Sequence, residues 1–158
     1  FDALSERALA AGRALGLPKV LLDREALEEL VPRKLRSGAI RPAATRLAAL
    51  GVQRTIRKYG ANRVPAREHQ RVLREALAEI RATLKPTADG PATLLGTFSY
   101  ADITASQVIQ FIAPKNRGAF RIGAASMRVY QNDELAEEFT DVIDWCDQLY
   151  ERYRDGAA

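Results

Sequence analysis

The chain contains very few of the residues on which metal centres and catalytic triads are built. Its 158 residues include one cysteine, one histidine, one tryptophan and one methionine. Because Cys146 has no second cysteine to pair with, an internal disulfide is excluded and a reducing compartment is the expected environment. His69 alone cannot form a multi-histidine metal site. We therefore predict that the chain binds no metal, and its composition identifies no catalytic residue.

Other absences exclude further classes of protein. No apolar run approaches the roughly 20 residues needed to cross a bilayer, and the first residues lack the pattern of a secretory signal. The glycines do not form G-x-x-x-x-G-K-S/T or G-x-G-x-x-G, the loops that hold nucleotide phosphates. We expect a cytoplasmic protein with no membrane contact and no nucleotide loop.

Helical periodicity runs through the chain, and no segment alternates apolar and polar residues as a strand does. With 47% hydrophobic content, the chain can bury one ordinary core. We predict an all-α, single-domain bundle of about six helices that covers residues 1–158. The predicted helices cover residues 4–15, 24–37, 42–59, 66–84, 101–112 and 133–153, and residues 115–127 are expected to form an irregular connection.

The run Leu-Leu-Gly-Thr-Phe-Ser-Tyr-Ala-Asp predicts the start of a buried helix. Ser99 and Asp102 have the spacing of a capping box, in which each side chain accepts a hydrogen bond from the other residue's backbone N–H. Phe98 and Ile103 flank this box as a hydrophobic staple. The helix behind the box contains no Lys, Arg or Glu and is apolar on nearly every side, so it is expected at the centre of the bundle.

The last predicted helix begins after Asn132 and carries a continuous apolar seam. The seam residues repeat at alternating spacings of four and three: Leu135, Phe139, Val142, Cys146, Leu149 and Tyr153. Because Cys146 lies on this seam, we interpret it as a structural thiol rather than a nucleophile. Trp145 is interpreted as a large anchor whose indole N–H finds a local partner. His69, at a polar helix start, is interpreted as an ordinary exposed histidine.

The net charge of +4 hides a strong asymmetry along the chain. From Arg33 to Arg74 there are twelve Lys/Arg and one acid, whereas residues 132–158 contain nine Asp/Glu and two Arg. Such separation favours either a charged surface that docks on another surface or an anion-binding site. The basic stretch has one aromatic residue, Tyr59, and no recognition-helix pattern, so nucleic acid is not the expected partner.

Taken together, the capping-box run and the end of the chain resemble one known family. The run Leu-Leu-Gly-Thr-Phe-Ser-Tyr-Ala-Asp-Ile is similar to the start of the central helix in the C-terminal domain of glutathione S-transferases, where an L-x-G-x-x-S/T-x-A-D box opens that helix. Residues 139–154, with Trp145 and a charged, Tyr-containing tail, resemble the closing helix of bacterial members. The resemblance is good over residues 94–154, whereas residues 1–85 share only the helical layout and the Phe1-Asp2 start of the first helix.

The resemblance implies a C-terminal domain whose parent protein conjugates glutathione to hydrophobic electrophiles. In this family the glutathione site and the activating residue lie on a thioredoxin-like domain that comes first. The resemblance therefore implies the thioredoxin-like domain as a partner and glutathione as the co-substrate of the parent protein. It implies no cofactor on this chain alone. The first helix would line the electrophile pocket, and the residues implied there are Phe1, Leu4, Arg7, Ala8 and Ala11. The resemblance also implies a homodimer. It gives the capping box and Trp145 purely structural roles.

Two other interpretations stay open at the level of the sequence. The same helical domain serves in some relatives as a non-catalytic protein-interaction module, and the opposite charges of the two halves suit docking to a charged partner. A polyanion-binding domain that uses residues 33–74 is the weaker alternative, and it predicts binding that falls steeply with salt.

Overall fold

The computed structural model describes residues 2–59, 63–117 and 121–155, and this part of the chain is an all-α bundle. Its eight α-helices are α1 Asp2–Leu22, α2 Arg24–Leu30, α3 Arg41–Tyr59, α4 Ala66–Thr83, α5 Tyr100–Ser106, α6 Ala124–Tyr130, α7 Asp133–Glu138 and α8 Thr140–Tyr150. Short 3₁₀ turns occur at Arg33–Leu35 and Gln107–Phe111, and a π-helical turn occurs at Glu151–Asp155. No strand forms within these ranges, where one antiparallel bridge joins Lys85 to Thr93.

The larger of two buried clusters lies among α1, α4, α5, α7 and α8, and we call it the main core. Its buried members are Ala8, Ala11, Leu73, Ala76, Leu77, Ile80, Leu94, Ala105, Val108, Ile109, Ile112, Leu135, Phe139, Val142, Trp145, Cys146 and Leu149. The members from α4 and from the last two helices repeat at helical spacing in the sequence, so burial of one apolar face explains both elements. After the capping box, only part of the chain is buried in this cluster, since Ile103 and Gln107 are exposed. The buried residues are Ala105, Val108, Ile109 and Ile112.

A smaller cluster, the second core, lies among the end of α1, α2, α3 and α6. Its buried members are Ala14, Val20, Ala26, Leu27, Val52, Ile56, Ala125 and Val129. These side chains are mostly alanine and valine, so the second core buries less apolar area than the main core. Helix α1 contributes to both clusters and connects them.

Helix α1 is longer than predicted, because Gly16 and Pro18 lie inside it rather than at its end. A Cβ atom on Gly16 would come within 1.8 Å of the Tyr130 ring, so this glycine permits close packing instead of ending the helix. Pro18 removes one helical hydrogen bond. Val20, two residues after Pro18, is buried in the second core. Its burial offsets the lost hydrogen bond and keeps the last residues of α1 packed.

Helix α2 is shorter than predicted and ends at Leu30. As predicted, Asp23 caps its start, accepting a hydrogen bond from the Ala26 N–H at 3.0 Å. The helix stops because Val31 precedes Pro32, and the proline ring disfavours the helical conformation of the residue before it. The sequence predicts continuation to residue 37, which overestimates the helix by two turns.

The predicted helix over residues 101–112 is α-helical only to Ser106 and continues as a 3₁₀ turn. Two hydroxyl groups interact with the backbone in this helix. Thr104 Oγ1 donates to the Ala101 carbonyl at 3.1 Å, and Ser106 Oγ donates to the Ile103 carbonyl at 2.8 Å. Such hydroxyl bonds compete with the regular α-helical ladder and favour a tighter turn.

The predicted last helix divides at Phe139 into α7 and α8. The Thr140 hydroxyl bonds to the carbonyls of Ala136 and Glu137 at 3.1 and 3.0 Å. Arg81 of α4 donates to the Glu138 carbonyl at 2.6 Å and lies over the Phe139 ring, 4.4 Å from its centre. These bonds satisfy carbonyls that the interrupted ladder leaves open.

Helix α6 begins at Ala124, within the segment 115–127 that was expected to be an irregular connection, and that expectation was wrong for residues 124–127. Its first N–H groups are capped from another helix, since the Glu29 carboxylate accepts hydrogen bonds from Ala125 at 3.0 Å and Ser126 at 2.8 Å. Burial acts to raise the pKa of Glu29, but the bonds from Ser126 and Ala125 outweigh it and hold the pKa below its usual value. A cap supplied from almost a hundred residues away leaves no local signal in the sequence.

The predicted count of about six helices is therefore too low for the described residues. The two additional helices are α6 and the division of the last helix into α7 and α8. Among the described residues, none of these helices has the length and apolar character needed to pass through a bilayer.

Candidate functional site

The capping box forms at the start of α5, and the fully buried Asp102 is its centre. Its Oδ2 atom accepts hydrogen bonds from the N–H and the hydroxyl of Ser99, both at 2.9 Å. Its Oδ1 atom accepts one from the Leu94 N–H at 2.8 Å. One carboxylate thus engages three donors and fixes the preceding loop to the helix, which the pattern of the box alone does not predict.

Trp145 anchors the same loop from the opposite helix. Its indole is almost fully buried, and its Nε1–H donates to the Ala92 carbonyl at 2.8 Å. The partner is 53 residues away in the chain, so it is not the local group that was expected. Ala92 precedes Thr93, whose backbone pairs with Lys85 in both directions at 2.8 and 2.9 Å. The loop before the capping box is therefore held at both ends.

A cavity of about 450 Å³ lies beside the capping box, and we call it the box pocket. It is formed by the start of α5, the end of α8 and the π-helical turn that follows. Its lining residues are Phe98, Asp102, Ile103, Ser106, Gln107, Leu149, Tyr150, Tyr153 and Arg154. The staple residues Phe98 and Ile103 thus border a pocket, and they remain 40% and 42% exposed.

Stacked aromatic rings form one wall of the box pocket. The rings of Phe98 and Tyr153 lie 3.9 Å apart at an angle of 11°. The Arg154 guanidinium lies 5.5 Å from the centre of the Tyr150 ring. Sequence reasoning noted the charged, Tyr-containing tail but did not place it in a pocket. The aromatic walls suit binding of an apolar or planar group. The Asp102 carboxylate is already engaged by three donors, so it is poorly placed to act as a base.

The structure separates the residues that the resemblance implies for the electrophile pocket. Phe1 lies outside the described residues. Ala8 and Ala11 are buried in the main core, so their methyl groups face other helices. Leu4 packs half-buried against the same core, and Arg7 is exposed. Of these five positions, Leu4 and Arg7 are the two that the described structure leaves accessible.

Helix α1 does line a pocket, but with its second half. This α1 pocket has a volume of about 380 Å³. Its lining residues are Gly12, Leu15, Gly16, Lys19, Ala66, Gln70, Phe111, Val129, Tyr130, Gln131, Asn132 and Asp133. The rings of Phe111 and Tyr130 meet edge to face at 5.5 Å, and each lies directly against a glycine of α1. Burial raises the pKa of Tyr130 against the opposing charge of Arg13, so its hydroxyl stays protonated at neutral pH.

The remaining candidates for chemistry, Cys146 and His69, line neither the box pocket nor the α1 pocket. Burial raises the pKa of the Cys146 thiol to about 12, despite the opposing charge of Arg117, so no thiolate nucleophile forms at neutral pH. His69 is half-buried rather than exposed, and its buried Nε2 has no hydrogen-bond partner among the described residues. Within the same ranges, no three His, Cys, Asp or Glu side chains come close enough to hold a metal ion.

Part of the charge asymmetry is neutralised inside the molecule. Arg74 of α4 pairs with Glu134 and with Glu138 of α7, the latter at 2.8 Å, and Arg81 pairs with Asp141 of α8. The Arg81 hydrogen bond holds the pKa of Asp141 below its usual value. Arg74 and Arg81 of α4 thus dock on the acidic last helices. Of these two, Arg74 belongs to the basic stretch 33–74, and its charge is engaged within the chain.

Comparisons with known proteins give no name to this arrangement. No family model, no curated protein and no solved structure matches the chain. The assignment of function therefore depends on the residues and the geometry described above.

Proposed function

We propose that this chain is the C-terminal helical domain of a glutathione S-transferase-like protein, in which it supplies a wall of the hydrophobic-electrophile pocket. The observation that carries the proposal is the capping box of Ser99 and Asp102 at the start of α5, a helix with one face buried against the main core. The parent's reaction would join the glutathione thiol to an electrophile. The glutathione site and the activating residue belong, in this proposal, to a thioredoxin-like domain.

The accessible residues of α1 are the proposed contacts with the electrophile. Leu4 offers an apolar side chain and Arg7 a cation on the exposed side of the same helix. Ala8 and Ala11 act behind them, because their small side chains let α1 pack closely on the main core. The described residues offer no activated thiol of their own, since Cys146 stays protonated. The chain's role is therefore to position the electrophile rather than to activate glutathione.

The exposed apolar residues around the box are the proposed contact with the thioredoxin-like domain. Leu95, Phe98, Tyr100 and Ile103 are each at least 40% exposed and lie within nine residues of one another. An apolar patch of this kind, next to a rigid helix start, is typical of an interface between domains. Homodimerisation is part of the same proposal, and its support is the resemblance alone.

The test compares the isolated chain with the product of the whole gene. Titration calorimetry should detect glutathione binding by the whole product and none by residues 1–158. In the whole product, Arg7→Ala should raise the KM for a hydrophobic electrophile such as 1-chloro-2,4-dinitrobenzene without changing the KM for glutathione. Arg13→Ala, an exposed arginine on the same helix, is the matched control and should leave both constants unchanged. A gene whose upstream sequence lacks any thioredoxin-like segment would refute the proposal.

A further inference from the structure

Helix α3 has two apolar faces, and only one of them is covered. Val52 and Ile56 face the second core and are buried. The opposite face carries Ala43, Ala44 and Leu47, and Ile40, which directly precedes the helix, extends it at the spacing i, i+3, i+4, i+7. Ile40 is 54% exposed and Leu47 is 71% exposed. A helix that is apolar on both sides belongs between two partners, and the described chain supplies one of them.

The uncovered face forms one side of a groove, which we call the α3 groove. Its volume is about 480 Å³. The lining residues are Leu30, Val31, Pro32, Leu35, Ile40, Ala43, Ala44, Leu47 and Ala48, all of them apolar. Arg36 holds the far side in place, since its guanidinium donates to the carbonyls of Glu29 and Val31 at 2.6 Å. The groove is thus an open apolar depression between the end of α2, the 3₁₀ turn and α3.

The surroundings of the α3 groove are basic. Residues 30–67 contain ten Lys/Arg and no Asp or Glu. One of these cations, Arg41 at the start of α3, is paired with Glu28 of α2 at 3.0 Å. Arg33 and Lys34 are exposed on the 3₁₀ turn at one side, and Arg46 is exposed on α3 at the other. The apolar floor therefore lies within a positively charged rim, and a ligand with both apolar and acidic groups would complement both.

We propose that the α3 groove binds an acidic amphipathic helix of a partner protein. An apolar groove is typical of the helix-in-groove mode of binding, in which side chains of the bound helix at i, i+3, i+4 and i+7 enter the groove. Acidic residues on the flanks of that helix meet Arg33, Lys34 and Arg46. This inference is independent of the glutathione-transferase proposal, because it uses a different helix and a different pocket.

Three other occupants fit the groove less well. A nucleic acid would leave the nine apolar lining residues without a contact, since phosphates need donors. A flat anionic membrane would touch the exposed side chains of Ile40 and Leu47 without filling the depression between them and α2. A second copy related by a two-fold axis would place one basic rim against another, and like charges that face each other are unfavourable.

The experiment uses residues 1–158 and a synthetic, fluorescently labelled peptide of about 18 residues, long enough for five helical turns. The peptide carries Leu at i, i+3, i+4 and i+7 and Glu at the positions that flank this apolar face, and the control peptide replaces each Glu with Lys. Fluorescence anisotropy should show binding of the acidic peptide that is at least about tenfold tighter than that of the basic peptide and weakens with salt.

Matched variants locate the binding. Leu47→Gln should lower the affinity of the protein for the acidic peptide about tenfold. Leu22→Gln, at a leucine 90% exposed on α1 and outside the groove, should leave binding unchanged. Both positions are exposed, so both variants should fold, which circular dichroism can verify. Equal binding of the two peptides, or equal weakening by the two variants, overturns the proposal.

Three further outcomes also overturn it. The first is binding to phosphatidylserine vesicles without binding to the peptide. The second is salt-dependent binding to duplex DNA that Leu47→Gln leaves unchanged. The third is a dimer, measured by light scattering, that Leu47→Gln dissociates and that excludes the peptide.

Discussion

The main core and the second core are built differently, although α1 passes through both. The main core is filled by large side chains and is covered by five helices. The second core is filled mostly by alanine and valine, and Glu29 provides a polar bond that holds one of its helices. α3, which covers it, leaves a second apolar face uncovered. The comparison indicates that the main core combines burial of large side chains with distant bonds such as Trp145 to Ala92, whereas the second core has less apolar burial and depends more on the Glu29 cap.

The largest expected effect is in the main core, at Asp102. Asp102→Ala removes three hydrogen bonds and leaves the buried Leu94 N–H without a partner. We expect a loss of about 2–4 kcal/mol, which combines a lost cap with an unsatisfied buried donor. Ser99→Ala should cost only about 0.5–2 kcal/mol, because the bonds to the Leu94 and Ser99 N–H groups remain.

Urea unfolding followed by circular dichroism measures both losses. Because the two residues share one motif, the double variant should cost less than the sum of the single losses. Strictly additive losses would show that Ser99 and Asp102 act separately.

A smaller but clear effect is expected where α1 meets the aromatic rings. Gly16→Ala places a Cβ within 1.8 Å of the Tyr130 ring, so the ring or the helix must shift. Overpacking of this kind should cost about 1–3 kcal/mol. Gly51→Ala in α3 is the matched control, because nothing lies within 4 Å of its added Cβ. It should stabilise the protein by about 0.5–1 kcal/mol, since alanine favours helix over glycine. Melting temperatures measured by thermal unfolding that change in the same direction for both variants would contradict the close packing of Gly16 against Tyr130.

In the second core, Glu29 should contribute about as much as a helix cap. Glu29→Ala should cost about 0.5–2 kcal/mol by exposing the first N–H groups of α6. Gly123→Ala should cost a similar amount, because its Cβ would lie 2.0 Å from the Glu29 carboxylate and displace it. The double variant should lose little more than either single variant, as a denaturant titration of all four proteins can establish. Independent losses would mean that Gly123 acts on something other than the cap.

The smallest effect is a dependence of the Glu29 contribution on pH. The folded pKa of Glu29 lies below its usual value of 4.5, so its carboxylate stabilises the folded state fully above that value. The stabilisation is lost as the pH falls through the lower folded pKa. The difference in unfolding free energy between the wild type and Glu29→Gln should therefore shrink as the pH is lowered below 4.5. A difference that stays constant into the acid range would argue against a charged cap.

The sequence predicts those elements whose signals are local. The helix class, the start of α4, the caps at Asp23 and Asn132 and the capping box can each be read within a few residues. Helix α6 and the break at Phe139 could not, because Glu29 and Arg81 act on them from distant helices. Gly16 was misjudged for a related reason, since its role depends on the Tyr130 ring that faces it.

The same reasoning applies to the candidate sites. The resemblance selects the first helix, but only the packing of α1 shows which of its residues are accessible. Ala8 and Ala11 have no sequence feature that separates them from exposed alanines such as Ala10. The box pocket was missed because its walls come from α5 and from the end of the chain, which are some fifty residues apart.

The buried indole of Trp145 gives the molecule a built-in optical reporter. It is the only tryptophan, it lies in the main core, and its N–H is bonded to the Ala92 carbonyl. Its fluorescence therefore follows that half of the molecule alone, whereas circular dichroism sums over every helix. If emission and ellipticity change at different urea concentrations, the two cores melt as separate cooperative units, and the long α1 helix does not couple them.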